Sequence, residues 1–454
     1  MKFLDLPVDV LPVILHFVVK SSHLASACLV NKEFSTFATP LLYDSVCIYS
    51  WHIDGKKKVL QLFETLRTST NLAQLVFCLD IRDFPKFALM KDLQLLSGVV
   101  EGLRNCKNLT SCTWTRQGSL TSEILEALLN CPELGDLEIN GHHSTDYEPR
   151  ILLRFVRLKR ISIIMPSPEI IRLLPLWLAA TSSCLRNLTL VCKSSASVTD
   201  ELLANFAPHL ANLDHFQLIG CPRVSEKGVC DAISQNKRGL LSLGLEAISP
   251  RFDVRAFANT CSTHRYFDHL RSITITVPDP APESWAAWAF SIIELLSGSP
   301  LQVFQLYHTT LSSKPILPDD LWHQLLFHHA HRLTKISVHR LAISPGIIQL
   351  ICANSFVLEH FFFTIEATTT LKLAECLSPA KRLRTVHINE PSATIVTISE
   401  LVSIIDHCPS TISQFGWNTR VWRVRRTLDE DRTCLSLERY ENPDIPEQFL
   451  VVRT

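Results

Sequence analysis

Apolar residues recur along most of this chain in one short pattern, L-x-x-L-x-L, with other aliphatic or aromatic residues standing in for leucine. It begins at Leu72, Leu109, Leu134, Leu158, Leu185, Leu213, Leu240, Leu270, Leu301, Leu333, Leu358, Leu383 and Ile412. From Leu109 to Ile412 the intervals run from 24 to 32 residues with a mean of about 27.5, a fixed period that marks stacked supersecondary units. Each period has the same grammar. Two-residue alternation predicts a short strand, as in LRNLTLV from Leu185, and a polar turn follows. A 3.6-residue apolar period then predicts a helix, as in TDELLANFAPHL ending at Leu210.

One strand and one crossover helix cannot hide their apolar sides alone, so neighbouring units must stack. The predicted fold is an α/β solenoid with a parallel sheet on its concave side and helices on its convex side. The unit from Leu213, L-DHF-Q-L-IG-C-PRV-SEKGV with Cys221, Val224 and Val229, resembles the cysteine-containing leucine-rich repeat. Elsewhere the ninth position holds His142, Pro166, Pro278, Glu366 or Pro391, which predicts an irregular ladder of turns. Prolines at 278–282 and 315–318 predict bulging loops. Residues 72–418 read as the solenoid. Residues 46–71 read as a linker or capping unit, with DSVCIYSW from Asp44 to Trp51 able to supply a first strand. Residues 419–454 carry no clean repeat and read as a C-terminal cap, or as a tail folding back across the face.

The opening MKFLDLPVDVLPVILHFVVKSSHLASAC can be taken for a secretory signal, with Ala25-Ser26-Ala27 as its cleavage site. Asp5 and Asp9 give it the wrong charge, and Pro12 and His16 interrupt its apolar run. Read as helices, Asp5 caps and Pro7 enters the first turn, while Val10, Leu11, Ile14, Leu15 and Val18 share a face. Ser22 caps a second helix through Leu24, Ala27 and Cys28, and Phe34, Phe37, Leu41 and Leu42 belong to a third. The spacing L-P-x-D-V-L-x-x-I-L followed by C-L-V-N-K-E-F, within Leu4 to Tyr43, resembles the F-box in the form familiar from fungal proteins. That resemblance implies a three-helix F-box at residues 1–45 that docks onto the Skp-type adaptor of a cullin–RING ubiquitin ligase. It implies Leu6, Pro7, Val10, Leu11, Ile14, Leu15, Val30 and Phe34 as apolar contacts, with Asp9 at the acidic position. Asn31 and Phe34 replace the Cys and Trp often found there.

Composition narrows the function classes. The 454 residues are 46% apolar and 19% charged, so a large interior forms. The 44 basic and 44 acidic side chains cancel, leaving no field to draw nucleic acid or anionic lipid. No uninterrupted apolar run reaches the length of a membrane span. Fifteen cysteines, an odd number without a C-x-x-C pair, fit a reduced compartment, the cytoplasm or nucleus. Cys106, Cys131 and Cys408 recur just before repeat starts, as small buried hydrophobes do. Nucleophile-elbow, phosphate-loop, dinucleotide and zinc-protease motifs are missing, and Asp319-Asp320 lies in a proline-containing loop, so neither catalysis nor a cofactor is expected. His323, His328, His329 and His331 lack a carboxylate or thiol at ligand spacing and read as a solvated helix end rather than a metal site.

The strand positions that alternate with the core leucines face the concave side. Among them Glu138, Asn140, Gln217, Glu246, Gln305, Tyr307, His339, Phe362, His387 and Asn389 are the candidate contacts for a protein target. Thirteen strands span about 60 Å at the usual spacing, which suits a protein better than a metabolite. Tyr307, His339, Phe362 and His387 are expected to form an exposed aromatic and imidazole patch. The expected function is substrate recognition for a cullin–RING ligase. A non-degradative F-box and repeat scaffold is the alternative, and a secreted repeat protein with sugar on Asn108 or Asn187 is a third reading.

Overall fold

Two inward positions of each repeat strand, two residues apart, decide the architecture. In the computed structural model the pairs Leu137 and Ile139, Ile161 and Ile163, and Leu188 and Leu190 are all almost fully buried. Their strands pair in parallel with Leu137 opposite Ile161 and Ile161 opposite Leu188, so like residues stack in rungs. The structure describes residues 8–18, 20–85, 93–142, 147–193, 195–277, 284–308, 317–366, 369–390, 396–429, 432–440, 445–446 and 449. The chain divides into two compact units, Met1–Val191 and Cys192–Thr454.

The first unit opens with three helices, α1 (Leu11–His16), α2 (Ser21–Cys28) and α3 (Lys32–Asp44). Strands β1 (Ser45–Ile48), β2 (Cys78–Ile81), β3 (Ser111–Trp114), β4 (Asp136–Asn140), β5 (Arg160–Ile164) and β6 (Asn187–Val191) follow. Each pairs in parallel with the next. The second unit contains β7 (His215–Ile219), β8 (Ser242–Glu246), β9 (Ser272–Val277), β10 (Val303–His308), β11 (Lys335–Ala342), β12 (His360–Thr364), β13 (Thr385–Asn389) and β14 (Gln414–Trp417). These too are parallel neighbours in chain order. The chain then reverses into β15 (Arg420–Asp429) and β16 (Arg432–Arg439), which extend the sheet antiparallel.

Helices cover one side of each sheet, and their starts follow from the sequence. Thr121, Ser167, Thr199, Ser284, Ser344 and Thr369 each accept a backbone N–H of the helix that follows, satisfying a donor the helix leaves free. Thr397 and Glu400 close a reciprocal capping box. Left-handed residues make the turns after several strands: Met165, Lys193, Gly220 and Ala247. The thiols of Cys106 and Cys408 each reach the carbonyl four residues back at 3.3 Å, which is how a buried cysteine at a helix end meets its polar need. All fifteen cysteines are free. Among the described residues no helix is long and apolar enough to cross a membrane.

Adjacent repeats also latch through side chains. The Asp200 carboxylate accepts the Ser225 backbone N–H at 2.7 Å and the Ser225 hydroxyl at 2.6 Å. Gly228 makes room for it, because a Cβ there would lie 2.8 Å from the Asp200 Cα.

The structure corrects several sequence expectations. The first repeat is out of phase by four residues. Leu72 belongs to the short helix Thr70–Ala73 and is half-buried, while Val76, Leu79 and Ile81 supply the buried rung. Residues 46–71 contain most of β1 and the helix Gly55–Thr68. Ser22 does not cap α2, which starts at Ser21 behind Lys20 without a side-chain cap. Asp5, Leu6 and Pro7 lie outside the described residues, as do all of the loop expected at 278–282 and the first half of the one expected at 315–318; Leu317 is buried, and Pro318 leads into the helix Asp319–His329, so Asp319-Asp320 open a helix and not a loop. The histidine group is not uniformly solvated. His323 and His331 are exposed, but His329 is buried with its ring hydrogen-bonded to the Leu296 backbone. Among the described residues no group of three or more His, Cys, Asp or Glu is placed to hold a metal ion.

Two stability measurements follow. Gly228→Ala is expected to lower the unfolding free energy by about 1–3 kcal/mol, through overpacking against Asp200. Gly298→Ala, with open space where its Cβ would go, should change it by less than about 1 kcal/mol; urea melts of the two variants make the comparison. Burial, reinforced by nearby His328, His331 and Arg332, pushes the His329 imidazole down to about 4. The unfolded chain therefore takes up a proton below about pH 6.5 that the folded chain refuses until about pH 4. Stability falls as pH drops through that window and the loss levels off below it. His329→Gln should make the slope of unfolding free energy against pH shallower by about one proton there.

Candidate protein-binding faces

Two surfaces have the chemistry to bind protein, one in each unit. In the first, α1 to α3 share a small core of Leu11, Leu15, Leu24 and Ala38, with Val18, Phe34, Phe37, Leu41 and Leu42 packed at its edge. Asn31 ends the preceding turn by accepting the Phe34 N–H at 2.8 Å, which gives this departure from the motif a capping role. Leu11 and Leu15 are core residues, and Ile14 and Phe34 are half-buried. Asp9 is exposed, and Val10 and Val30 are 37% and 62% accessible. Beside them Val13, Phe17 and Leu29 are 59%, 76% and 87% accessible. Sequence reasoning missed these last three. Val10, expected on the face of Leu11 and Leu15, lies instead in the short 3-10 turn Val8–Val10 and is exposed, and with Val13 and Phe17 at i+3 and i+7 it makes a second apolar stripe apart from the one the core consumes.

On the first unit's sheet, the side away from the helices is charged. Arg82 pairs with Asp80 at 3.0 Å and Glu138 at 3.2 Å, and Arg116 lies 3.6 Å from Asp83. Glu138 is half-buried and sits within this network. Asn140 is not an open contact. It is buried, its amide donates to the Thr115 carbonyl at 3.1 Å, and its oxygen accepts the His142 N–H at 2.9 Å, so it fastens the turn.

In the second unit, strand register sets Gln305, Ser337, Phe362, His387 and Gly416 in one row across five strands, with Tyr307 and His339 in the next. β11 leaves register with β12 between Ser337 and Ala342, where Arg340 is left-handed and its N–H reaches the Thr364 hydroxyl at 3.2 Å. Toward β7 the face is polar. The Gln217 amide donates to Glu246 at 3.0 Å, and the Gln305 amide donates to the Thr274 hydroxyl at 3.0 Å. Burial raises the Glu246 carboxyl pKa despite the Gln217 hydrogen bond, and burial likewise pushes up the Tyr307 phenol. Gln217, Glu246, Gln305, Tyr307 and Asn389 are all partly accessible.

Toward β13 the face is aromatic. Tyr307 stacks on His339 with ring centres 4.8 Å apart, His339 lies 6.4 Å from Phe362, and Phe362 lies 6.0 Å from His387. The Lys335 ammonium stands 5.3 Å over the Phe362 ring. His387 bonds the Asn418 carbonyl through Nε2 at 2.8 Å and leans over Gly416, where any Cβ would collide with its ring. Burial, with His387, Lys335 and Arg340 nearby, pushes His339 down to about 3, so it is neutral at ordinary pH.

The expectation of an exposed aromatic patch fails for three of its four members. His339, Phe362 and His387 are buried, at 7%, 1% and 1% accessibility. His339 is enclosed between the Tyr307 and Phe362 rings, and the C-terminal segment covers the other two: Val421, Tyr440, Ile445 and Phe449 form a cluster with Phe362. Phe449 lies 5.6 Å from Phe362 and 5.5 Å from His387. The tail therefore both extends the sheet edge and folds back over its face. Ile445 and Phe449 are functional candidates that sequence reasoning missed, and their signal is that each follows a stretch of polar residues and prolines, ENPD before Ile445 and PEQ before Phe449.

No family model and no curated protein matches this chain. Among solved structures it is similar to the leucine-rich repeat-containing protein LegL7 from Legionella pneumophila, with 11% identity, 68% of this chain and 93% of that chain covered, and a TM-score of 0.42. It is also similar to a chain of the Rad7 and Elc1 complex in yeast, with 12% identity, 79% and 88% covered, and a TM-score of 0.46. At those scores the likeness carries no argument, and the repeating strand, turn and buried rung carry it instead: the chain has an α/β leucine-rich-repeat fold.

Proposed function

We propose that this chain is the substrate-recognition subunit of an SCF-type cullin–RING ubiquitin ligase, working in the cytoplasm or nucleus. Its three N-terminal helices dock onto a Skp-type adaptor, and its sheet face holds the protein to be ubiquitylated. The carrying observation is the apolar surface of the three-helix unit, with Val13, Phe17, Leu29 and Val30 all more than half exposed around a core of only a few side chains. An exposed apolar patch on so small a unit calls for a partner. The F-box-like spacing supports the adaptor as that partner, with Leu6, Pro7, Asp9, Val10, Ile14, Val30 and Phe34 at or beside the contact. Leu11 and Leu15 support the contact from beneath.

In this reading the chain supplies geometry and no chemistry. Holding a target beside a charged conjugating enzyme raises the effective concentration of its lysines, and the thioester chemistry stays with the partners. Free cysteines throughout fit the reducing compartments in which such ligases work. The partly accessible Glu138, Gln217, Glu246, Gln305, Tyr307 and Asn389 are the proposed target contacts.

Capture of the adaptor and cullin by the full chain tests the proposal. The double variant Leu29→Asp, Val30→Asp should reduce recovery at least about tenfold, a change of about 1.4 kcal/mol in affinity, without moving the melting temperature. A wild-type chain that recovers no adaptor removes the ligase reading. Recovery of adaptor with captured proteins whose half-lives do not change on deletion of the chain would favour a scaffold instead.

A further inference from the structure

The covered end of the second unit's sheet is built unlike a core. On the helix side of the same strands the buried positions are Phe304, Ile336, Phe361 and Val386, all apolar. On the opposite side of these strands the buried groups include two imidazoles and the Ser337 hydroxyl, which lies 3.2 Å from His339 Nε2, and a half-buried lysine stands over the Phe362 ring. A lid made only for stability gains more from apolar contacts, because a buried polar group must first recover its desolvation cost through hydrogen bonds such as those of Ser337 and His387. A recognition surface uses that mixture of aromatic anchors and directed polar groups.

The occupant has a complementary character. Residues 441–449 read ENPDIPEQF, with three carboxylates and no cation in the sequence, and the face that Ile445 and Phe449 reach presents Lys335 over Phe362 and Arg423 over the Tyr440 ring at 5.5 Å. Ile445 and Phe449 bring the apolar anchors, and the Phe449 N–H closes a turn onto the Pro446 carbonyl at 3.0 Å. The segment therefore has the form of a short acidic peptide with an aliphatic anchor and a phenylalanine four positions later, tethered to its own site.

Resting on the reading of this face as the target-binding surface, we propose that the Phe362 and His387 end of the sheet is a peptide site. Its ligand is an acidic segment with an aliphatic residue followed four positions later by phenylalanine. The chain's own Ile445 and Phe449 side chains occupy the site in cis, and a target carrying that chemistry binds by displacing them. The tether gives the resident segment a high effective concentration, so only a competitor with more contacts prevails. The neighbouring open strip, from Gln217 to Tyr307, supplies those additional contacts.

The test uses a fluorescent synthetic peptide of residues 441–454, ENPDIPEQFLVVRT, titrated into the full-length chain and into the full-length double variant Ile445→Asp, Phe449→Asp. The variant should bind the peptide at least about tenfold more tightly than wild type, and a peptide with Phe449→Ala should lose at least about tenfold. A variant with the wild-type circular dichroism spectrum that binds no peptide, or that binds it as wild type does, overturns the proposal. If the variant misfolds, the wild-type chain decides: excess free peptide should speed carboxypeptidase trimming past Phe449 several-fold, and the Phe449→Ala peptide should not. Unchanged trimming overturns the proposal. Neither readout involves the adaptor, so failure here and failure of the ligase reading are separate results.

Discussion

Everything in this molecule depends on a strand that buries one side completely against its own repeat's helix and its neighbours' rungs. Leu188 and Leu190, or Phe304 and Leu306, have almost no accessible surface, and each lies beside its counterpart in the preceding strand. Apolar burial supplies about 25 cal/mol for each Å², and no single repeat has enough area to fold by itself. Parallel register then follows, since a slip of one residue would turn every rung toward water. Because stability is drawn from one side, the other side of each strand is free to vary. That freedom makes a face of charges in the first unit and a face of amides, imidazoles and aromatic rings in the second.

The two ends of the chain treat spare apolar surface in opposite ways. At the N-terminus, three short helices spend Leu11, Leu15 and Leu24 on a minimal core and leave Phe17 and Leu29 in water. Such a surface is useful when something else covers it. At the C-terminus, the chain covers its own aromatic face, reversing into β15 and β16 and bringing Phe449 back onto Phe362. Phe362 is consequently as well buried as a core residue, although it stands on the side of the sheet away from the helices.

The repeat was legible because the same residues answer two questions at once. Leu134, Leu158, Leu185 and Leu213 mark both the start of a strand and a buried rung, so a period in the sequence is a period in space. The first repeat was misread because Leu72 mimics the pattern while the helix before it runs on to Ala73, leaving Val76 to open the rung. Alternation also told which side of a strand His339, Phe362 and His387 occupy. It could not tell what lies on top of Phe362 and His387, since burial by a segment 50 or more residues away leaves no local mark. The hairpin of β15 and β16 left a signal in the alternation either side of Asp429, but a tail without the leucine period drew no strand assignment. The N-terminal helices show the same limit: their core stripe was readable, and their second, outward stripe was passed over because a short helix can be apolar on two sides.

The central claim, that one side of each strand supplies stability and the other is free for binding, is tested most directly on two adjacent residues of β10. Gln305 and Leu306 point to opposite sides: Gln305 is partly accessible and bonds Thr274, and Leu306 is fully buried. Urea unfolding of the full chain should show a loss of about 2–5 kcal/mol for Leu306→Ala and about 1 kcal/mol or less for Gln305→Ala. Equal losses from the two substitutions would contradict the account.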